Sequence, residues 1–197
     1  KRYRHQMKAL KRIIDTEGVC ALLMSPGTGK TAPTLDYLSI LALKYAQRNE
    51  EVRALIVSPK AAVDNWVLQS EAYIHDDVQV WAEALGGSIK EKAQALANRG
   101  PEGYMPPKTH DKRQNEQGAK RVLHVHKSEL LYSSDGVKTI ADMSGARLVI
   151  ASMNYEAFSS RAQMGSKTMA DVLMDAVKRF RPTVIVADEI HKLKGIS

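Results

Sequence analysis

Residues 19–31 read VCALLMSPGTGKT. VCALLM is a continuous apolar run, as a strand buried on both faces should be, and the stretch that begins at Thr31 has helical periodicity. Between them lies a glycine loop. Gly27 and Gly29 let backbone N–H groups turn inward toward phosphate oxygens, and the start of the following helix favours negative charge. Strand, glycine loop and helix in this order predict a phosphate-binding P-loop. Lys30 would then sit at the β and γ phosphates of a nucleoside triphosphate, with the Thr31 hydroxyl on Mg²⁺. Pro26, Gly27, Thr28 and Gly29 would line the nucleotide. In the full GxxxxGKT pattern the first glycine falls where this chain has Met24.

Outward from the loop, apolar runs alternate with helical patterns, which predicts an α/β fold around a mostly parallel sheet with helices on both faces. Strands are expected at VCALLM (19–24), VRALIV (52–57), VQVWA (78–82), RLVIAS (147–152) and TVIVAD (183–188). Helices are expected over residues 4–16, 31–48, 61–73, 89–99 and 169–180, the first with Met7, Leu10, Ile13 and Ile14 on its apolar face. Residues 100–120 hold three prolines, three glycines and little to bury, which reads as a mobile surface insertion. Residues 121–126 have the look of a strand, and 127–133 of a short helix.

A second carboxylate-bearing stretch lies near the last residue, where residues 183–195 read TVIVADEIHKLKG. Asp188 at the end of an apolar strand can hold Mg²⁺ through water. Glu189 then becomes the base that orients the attacking water. The plainer alternative is an acidic strand end capping the next helix. Taken with the glycine loop, the pair predicts ATP and Mg²⁺ as ligands.

The 29 lysines and arginines exceed the 22 acidic residues, for a net charge of +7, which suits a polyanionic partner or a generally basic surface. No run approaches the roughly 18 apolar residues of a membrane span, and the start has no signal-peptide core, so an intracellular protein with no membrane partner is expected. Cys20 is the only cysteine, so no internal disulfide forms, and it reads as a small buried hydrophobe.

Three further stretches carry a family resemblance. DEIH with its basic tail, residues 188–194, resembles the DEAH box of superfamily-two helicases and Swi/Snf-type ATPases. ALIVSPKAAVDNWVLQSEAY, residues 54–73, resembles the Swi/Snf segment in which a strand ends at a proline and an Asn-Trp pair and a Glu follow, here Asn65, Trp66 and Glu71. RLVIASMNYEAF, residues 147–158, is similar to the family's later strand with its Thr-Tyr-Glu type motif, here Asn154, Tyr155 and Glu156. RHQMKAL, residues 4–10, is similar to the adenine-reading glutamine motif, with Gln6 as its Gln and Arg4 where the family has Pro. Ile190 replaces the usual Ala of DEAH.

The resemblance implies a RecA-like P-loop domain, the first of two lobes, spanning residues 1–197. The second lobe, which supplies arginines to the transition state, is expected to be absent. It further implies that His191 couples nucleotide state to the nucleic-acid groove, and that Ser58, Pro59, Lys60 and Asn154 lie near the nucleic-acid backbone. Double-stranded DNA is the expected partner, with RNA as the alternative. The activity implied is DNA-stimulated ATP hydrolysis driving translocation in a two-lobe parent, with this lobe nearly inert alone. Trp66 reads as core packing, and Lys192 and Lys194 as either a nucleic-acid contact or a solvated tail.

Rival readings are a strand-separating DEAH-type helicase lobe and a nucleotide- or DNA-binding module without activity of its own. SPGTGKT also resembles the loop of AAA-type ATPases, but there the Asp-Glu pair follows far sooner, and residues 58–66 have no place in that plan.

Overall fold

The computed structural model describes residues 2–22, 24, 27–99, 123–127, 130–133, 136–139, 145–160, 162–164 and 166–189. They fall into two units: Lys1–Val52 with Gln69–Val80 and Lys127–Leu148, and Arg53–Leu68 with Trp81–His126 and Val149–Ser197. The residues 100–120 expected to form an insertion lie outside the described residues, as do His191 and the basic tail.

In the first unit, α1 spans Arg4–Asp15 and packs on α2, Thr31–Ala46. The buried stripe of α1 is Gln6, Ala9 and Ile13, spaced three and four apart on one helical face. The apolar face expected from sequence is therefore corrected: Met7 and Ile14 are exposed by 51% and 43%. Small Ala9 lets α2 approach closely, and Gln6 tolerates burial because its amide is hydrogen bonded at both ends. Pro33 sits in the first turn of α2, where a missing backbone N–H costs nothing.

The described residues of 19–24 do not form the expected strand. α1 ends through two left-handed residues, Glu17 (φ 51°) and Gly18 (φ 85°), and Val19 emerges 85% exposed. The amides of Val19 and Met24 bond only to the nearby carbonyls of Thr16 and Leu22. An apolar run becomes a strand only where a neighbouring ladder pairs its backbone, and none of the described residues of this run joins a sheet.

Two short strands complete the first unit. β4, Leu130–Ser133, and β5, Gly136–Thr139, pair antiparallel, with Tyr132 opposite Val137. The helix expected over 127–133 is thus replaced, at Leu130–Ser133, by a hairpin strand.

In the second unit lies the sheet, apart from the first residues of three of its strands and the last residue of a fourth. These are β1, Val52–Ser58, β2, Gln79–Ala84, β3, Leu123–Lys127, β6, Arg147–Asn154, and β9, Val184–Ala187, in the order β3-β2-β6-β1-β9. Strands β2, β6, β1 and β9 are all parallel, and Ala54 and Ile56 of β1 stand in register with Val184 and Val186 of β9. β3 forms at the residues read as a possible strand. β2 and β6 are buried almost throughout, Glu83 and Ser152 included, as strands covered on both faces should be. β9 is not: it alternates half-buried and exposed, and Ile185 is 61% exposed, because it ends the strand order.

Helices pack against this sheet. α3, Val63–Tyr73, follows β1 through a 3₁₀ turn, Lys60–Ala62. α4, Ile89–Ala97, begins at Ser88 and α5, Met169–Phe180, at Thr168, each cap reciprocated by an acid three residues on, Glu91 and Asp171. α4 and α5 pack together, placing Leu96, Leu173, Val177 and Phe180 in one core with Leu55, Trp81, Val149, Ala151 and Met153 of the sheet. Odd-numbered residues of β6 face this core. Of the even-numbered residues, Ser152 donates its hydroxyl to the Val63 carbonyl at the start of α3, 3.0 Å away. A two-strand pair, β7 (Gln163–Met164) with β8 (Lys167–Thr168), leads into α5.

Candidate functional site

Two groups of residues carry the chemistry expected from sequence, one in each unit. In the first, Gly27 and Gly29 both adopt left-handed backbone, with φ of 79° and 77°, immediately before α2. Only glycine takes that conformation without strain, and it turns the amides of a loop toward one side. Lys30 caps the helix and Thr31 is its first residue. Lys30 Nζ donates to the Met24 carbonyl 3.1 Å away, so its ammonium folds back along its own loop. Pro26 lies outside the described residues.

Gln6 braces this loop. Its amide nitrogen reaches the carbonyls of Gly29 and Thr28, at 3.4 and 3.5 Å, while its oxygen accepts from the Tyr3 amide at 3.1 Å. His5 adds a second brace, its Nε2 lying 3.0 Å from the Thr28 carbonyl. A Cβ on Gly29 would come within 2.5 Å of the Gln6 amide nitrogen, whereas one on Gly27 would meet nothing. The adenine-reading residue expected from sequence is therefore joined to the phosphate loop itself, and His5 is a contact that sequence reading did not single out.

In the second unit, the remaining described candidates lie at or just past the ends of parallel strands. The Asp188 amide donates to the Val57 carbonyl at 2.9 Å, which seats Asp188 directly beyond β9 and beside the end of β1. Its side chain is held as well: Trp66 Nε1 donates to Asp188 Oδ2 at 3.1 Å. Glu189 follows in left-handed backbone, φ 52°. A non-glycine residue there costs about 1–2 kcal/mol, and such strain gathers at functional sites. Burial raises the pKa of the Tyr155 hydroxyl, with further contributions from the charges of Glu156, Glu189 and Asp188.

Ser58 is fully buried, with its hydroxyl donating to the neighbouring Pro59 carbonyl at 3.4 Å, while Lys60 stands exposed in the 3₁₀ turn. Asn154 is half-buried and fixed at both ends. Its oxygen accepts from Lys92 Nζ, and its amide nitrogen donates to Glu156 Oε2 at 2.7 Å. Lys92 is 8% exposed, and desolvation lowers its pKa, an effect the nearby Lys60 charge reinforces. Sequence reading passed over Lys92. Its signal was a lysine on the stripe Ile89, Lys92, Ala93, Leu96, where a helix that packs on a core should be apolar.

No family model, curated protein or solved structure matches this chain.

The donor chemistry has therefore to be judged from the residues. Among the described residues no cluster of three or more His, Cys, Asp or Glu side chains stands ready for a metal. Mg²⁺ does not require one, since it keeps several waters and is commonly held by one or two carboxylates plus substrate phosphates. Asp188, a carboxylate oriented by its bond to Trp66, suits that pattern. Two open clefts of about 440 and 530 Å³ are lined by other residues, Arg2 and Tyr73 in one and Lys90 and Arg179 in the other. No described helix is long and apolar enough to cross a membrane.

Proposed function

We propose that this chain is a RecA-like ATP-binding lobe, with helices on both faces of its sheet, from a DNA-dependent ATPase that translocates on double-stranded DNA in the Swi/Snf manner. The observation that carries the reading is the placement of Asp188 and Glu189 directly beyond β9, at the carboxyl end of a parallel sheet, where α/β proteins bind ligands. Within the first unit, the two left-handed glycines ahead of α2 support the reading of residues 27–31 as a phosphate cradle.

In this reading the amides of residues 27–31 receive the phosphates, and Lys30 exchanges the Met24 carbonyl for a phosphate oxygen. Thr31 would offer its hydroxyl, and Asp188 its carboxylate, to Mg²⁺, which when bound would neutralise charge on the phosphates. Glu189 orients and deprotonates the attacking water. Lys60 offers a charged contact to the nucleic-acid backbone, and Asn154, with both ends of its amide fixed, a rigid polar one. Swi/Snf-type enzymes complete the transition state with arginines of a second lobe, and an arginine finger is worth ~10³–10⁵ in rate. The lobe alone should therefore bind ATP yet turn it over slowly.

The test measures ATP binding and turnover by the 197-residue chain, with and without double-stranded DNA. Lys30→Ala should weaken ATP binding roughly 10- to 100-fold, the worth of lost charge-assisted hydrogen bonds. Glu189→Gln should keep binding and abolish the residual turnover. Strong DNA-stimulated hydrolysis by the lone chain would rule out dependence on a second lobe. Equal ATP affinity for the wild type and Lys30→Ala would remove the nucleotide reading.

A further inference from the structure

Trp66 reads from sequence as an apolar anchor of α3, and it is buried, at 3% exposure. Its indole also does something a packing residue does not need to do. Indole has one donor and no acceptor, and Trp81, equally buried in the core, leaves that N–H without a hydrogen-bond partner among the described residues. At Trp66 the partner is Asp188 Oδ2, at 3.1 Å. A bond to a carboxylate is about twice as strong as one between neutral groups and stronger still away from water. The Asp188 backbone is pinned to Val57 by its amide, so the indole bond restrains the remaining freedom, rotation of the carboxylate.

We propose that Trp66 is the positioning residue for Asp188: its N–H holds Oδ2 and thereby aims Oδ1 at the hydrated cation. The inference rests on the reading of Asp188 as the Mg²⁺-holding carboxylate. It assigns to Trp66 the work that hydrogen-bonded partners of metal ligands perform elsewhere, fixing ligand orientation before the metal arrives. A phenylalanine at this position would fill most of the same space and leave the carboxylate free to rotate.

The experiment titrates Mg²⁺ against ATP binding by the 197-residue chain, comparing the wild type with Trp66→Phe and recording thermal unfolding of each. Trp66→Phe should raise the half-saturating Mg²⁺ concentration roughly 10-fold, in the range seen when a ligand's hydrogen-bonded partner is lost. ATP binding in excess chelator should stay unchanged. The chain has two tryptophans, so Trp81→Phe leaves Trp66 as the sole indole emitter and gives a readout without altering position 66. Its emission should change when Mg²⁺ is added to the ATP-bound protein, and Asp188→Asn should abolish that change. An unchanged Mg²⁺ midpoint in a folded Trp66→Phe protein, or an emission response that survives Asp188→Asn, overturns the proposal while leaving the nucleotide reading intact. ATP binding by the wild type that ignores Mg²⁺ altogether overturns the proposal together with the reading of Asp188 as a Mg²⁺-holding carboxylate.

Discussion

Gly27 and Gly29 share a left-handed backbone, but their surroundings make them unequal. At Gly27 a Cβ would project into open space, so Gly27→Ala carries only the backbone cost of about 1–2 kcal/mol. At Gly29 the same cost applies, and the new methyl also collides with the Gln6 amide that holds the Thr28 and Gly29 carbonyls. The end of the Gln6 side chain can swing away, but only by releasing the loop. Gly29→Ala should therefore weaken ATP binding by more than Gly27→Ala, with about a tenfold loss for the 1–2 kcal/mol that the two share. Calorimetric titration of both variants checks the order. Gln6→Ala in the Gly29→Ala background should recover little, because the steric relief comes with loss of the brace.

Among the elements, α5 shows how far local chemistry reaches. Thr168 and Asp171 cap it reciprocally, and the buried stripe Leu173, Ala176, Val177, Phe180 follows at helical spacing, so its span was legible before any fold was known. Thr168→Ala removes the hydroxyl that accepts the Asp171 amide and should cost about 1 kcal/mol in urea denaturation. The cap is pH-sensitive with a definite sign. The Thr168 hydroxyl and amide, donating to the Asp171 carboxylate, hold its pKa below the ordinary 3.8. The stabilisation is thus complete above pH 3.8 and is lost as pH falls through the lowered value. Asp171→Asn should flatten that acid limb. The segment at 19–24 is the opposite case. Its apolar composition allowed a strand, but a strand needs a partner that composition does not name. KSELLYS likewise allowed a helix, and pairing with β5 decided otherwise.

For the whole molecule, a net charge of +7 makes salt the natural probe of a polyanionic partner. Affinity for double-stranded DNA should fall linearly on a log–log plot against salt. Lys60→Ala should reduce that slope by about one, as loss of a single phosphate contact does. Lys60 stands exposed in a short 3₁₀ turn, so its removal should leave the thermal midpoint nearly unchanged. Asn154→Ala behaves differently, because it strips Lys92 of its partner and leaves a buried amine unsatisfied. An unchanged salt slope in Lys60→Ala would exclude this turn from the interface.

The sequence by itself determined the α/β alternation, the positions of four parallel strands and five helices to within a few residues, and the glycines and carboxylates that carry the candidate chemistry. These features are written in local periodicity, turn residues and caps, each set by neighbours a few positions away. Tertiary structure alone decided which apolar runs pair, which face of α1 is buried, and what each polar group touches. The bonds of Trp66 to Asp188, Lys92 to Asn154 and Gln6 to Gly29 join residues 122, 62 and 23 positions apart. Such partners follow from the packing of distant elements, and no local pattern encodes that distance.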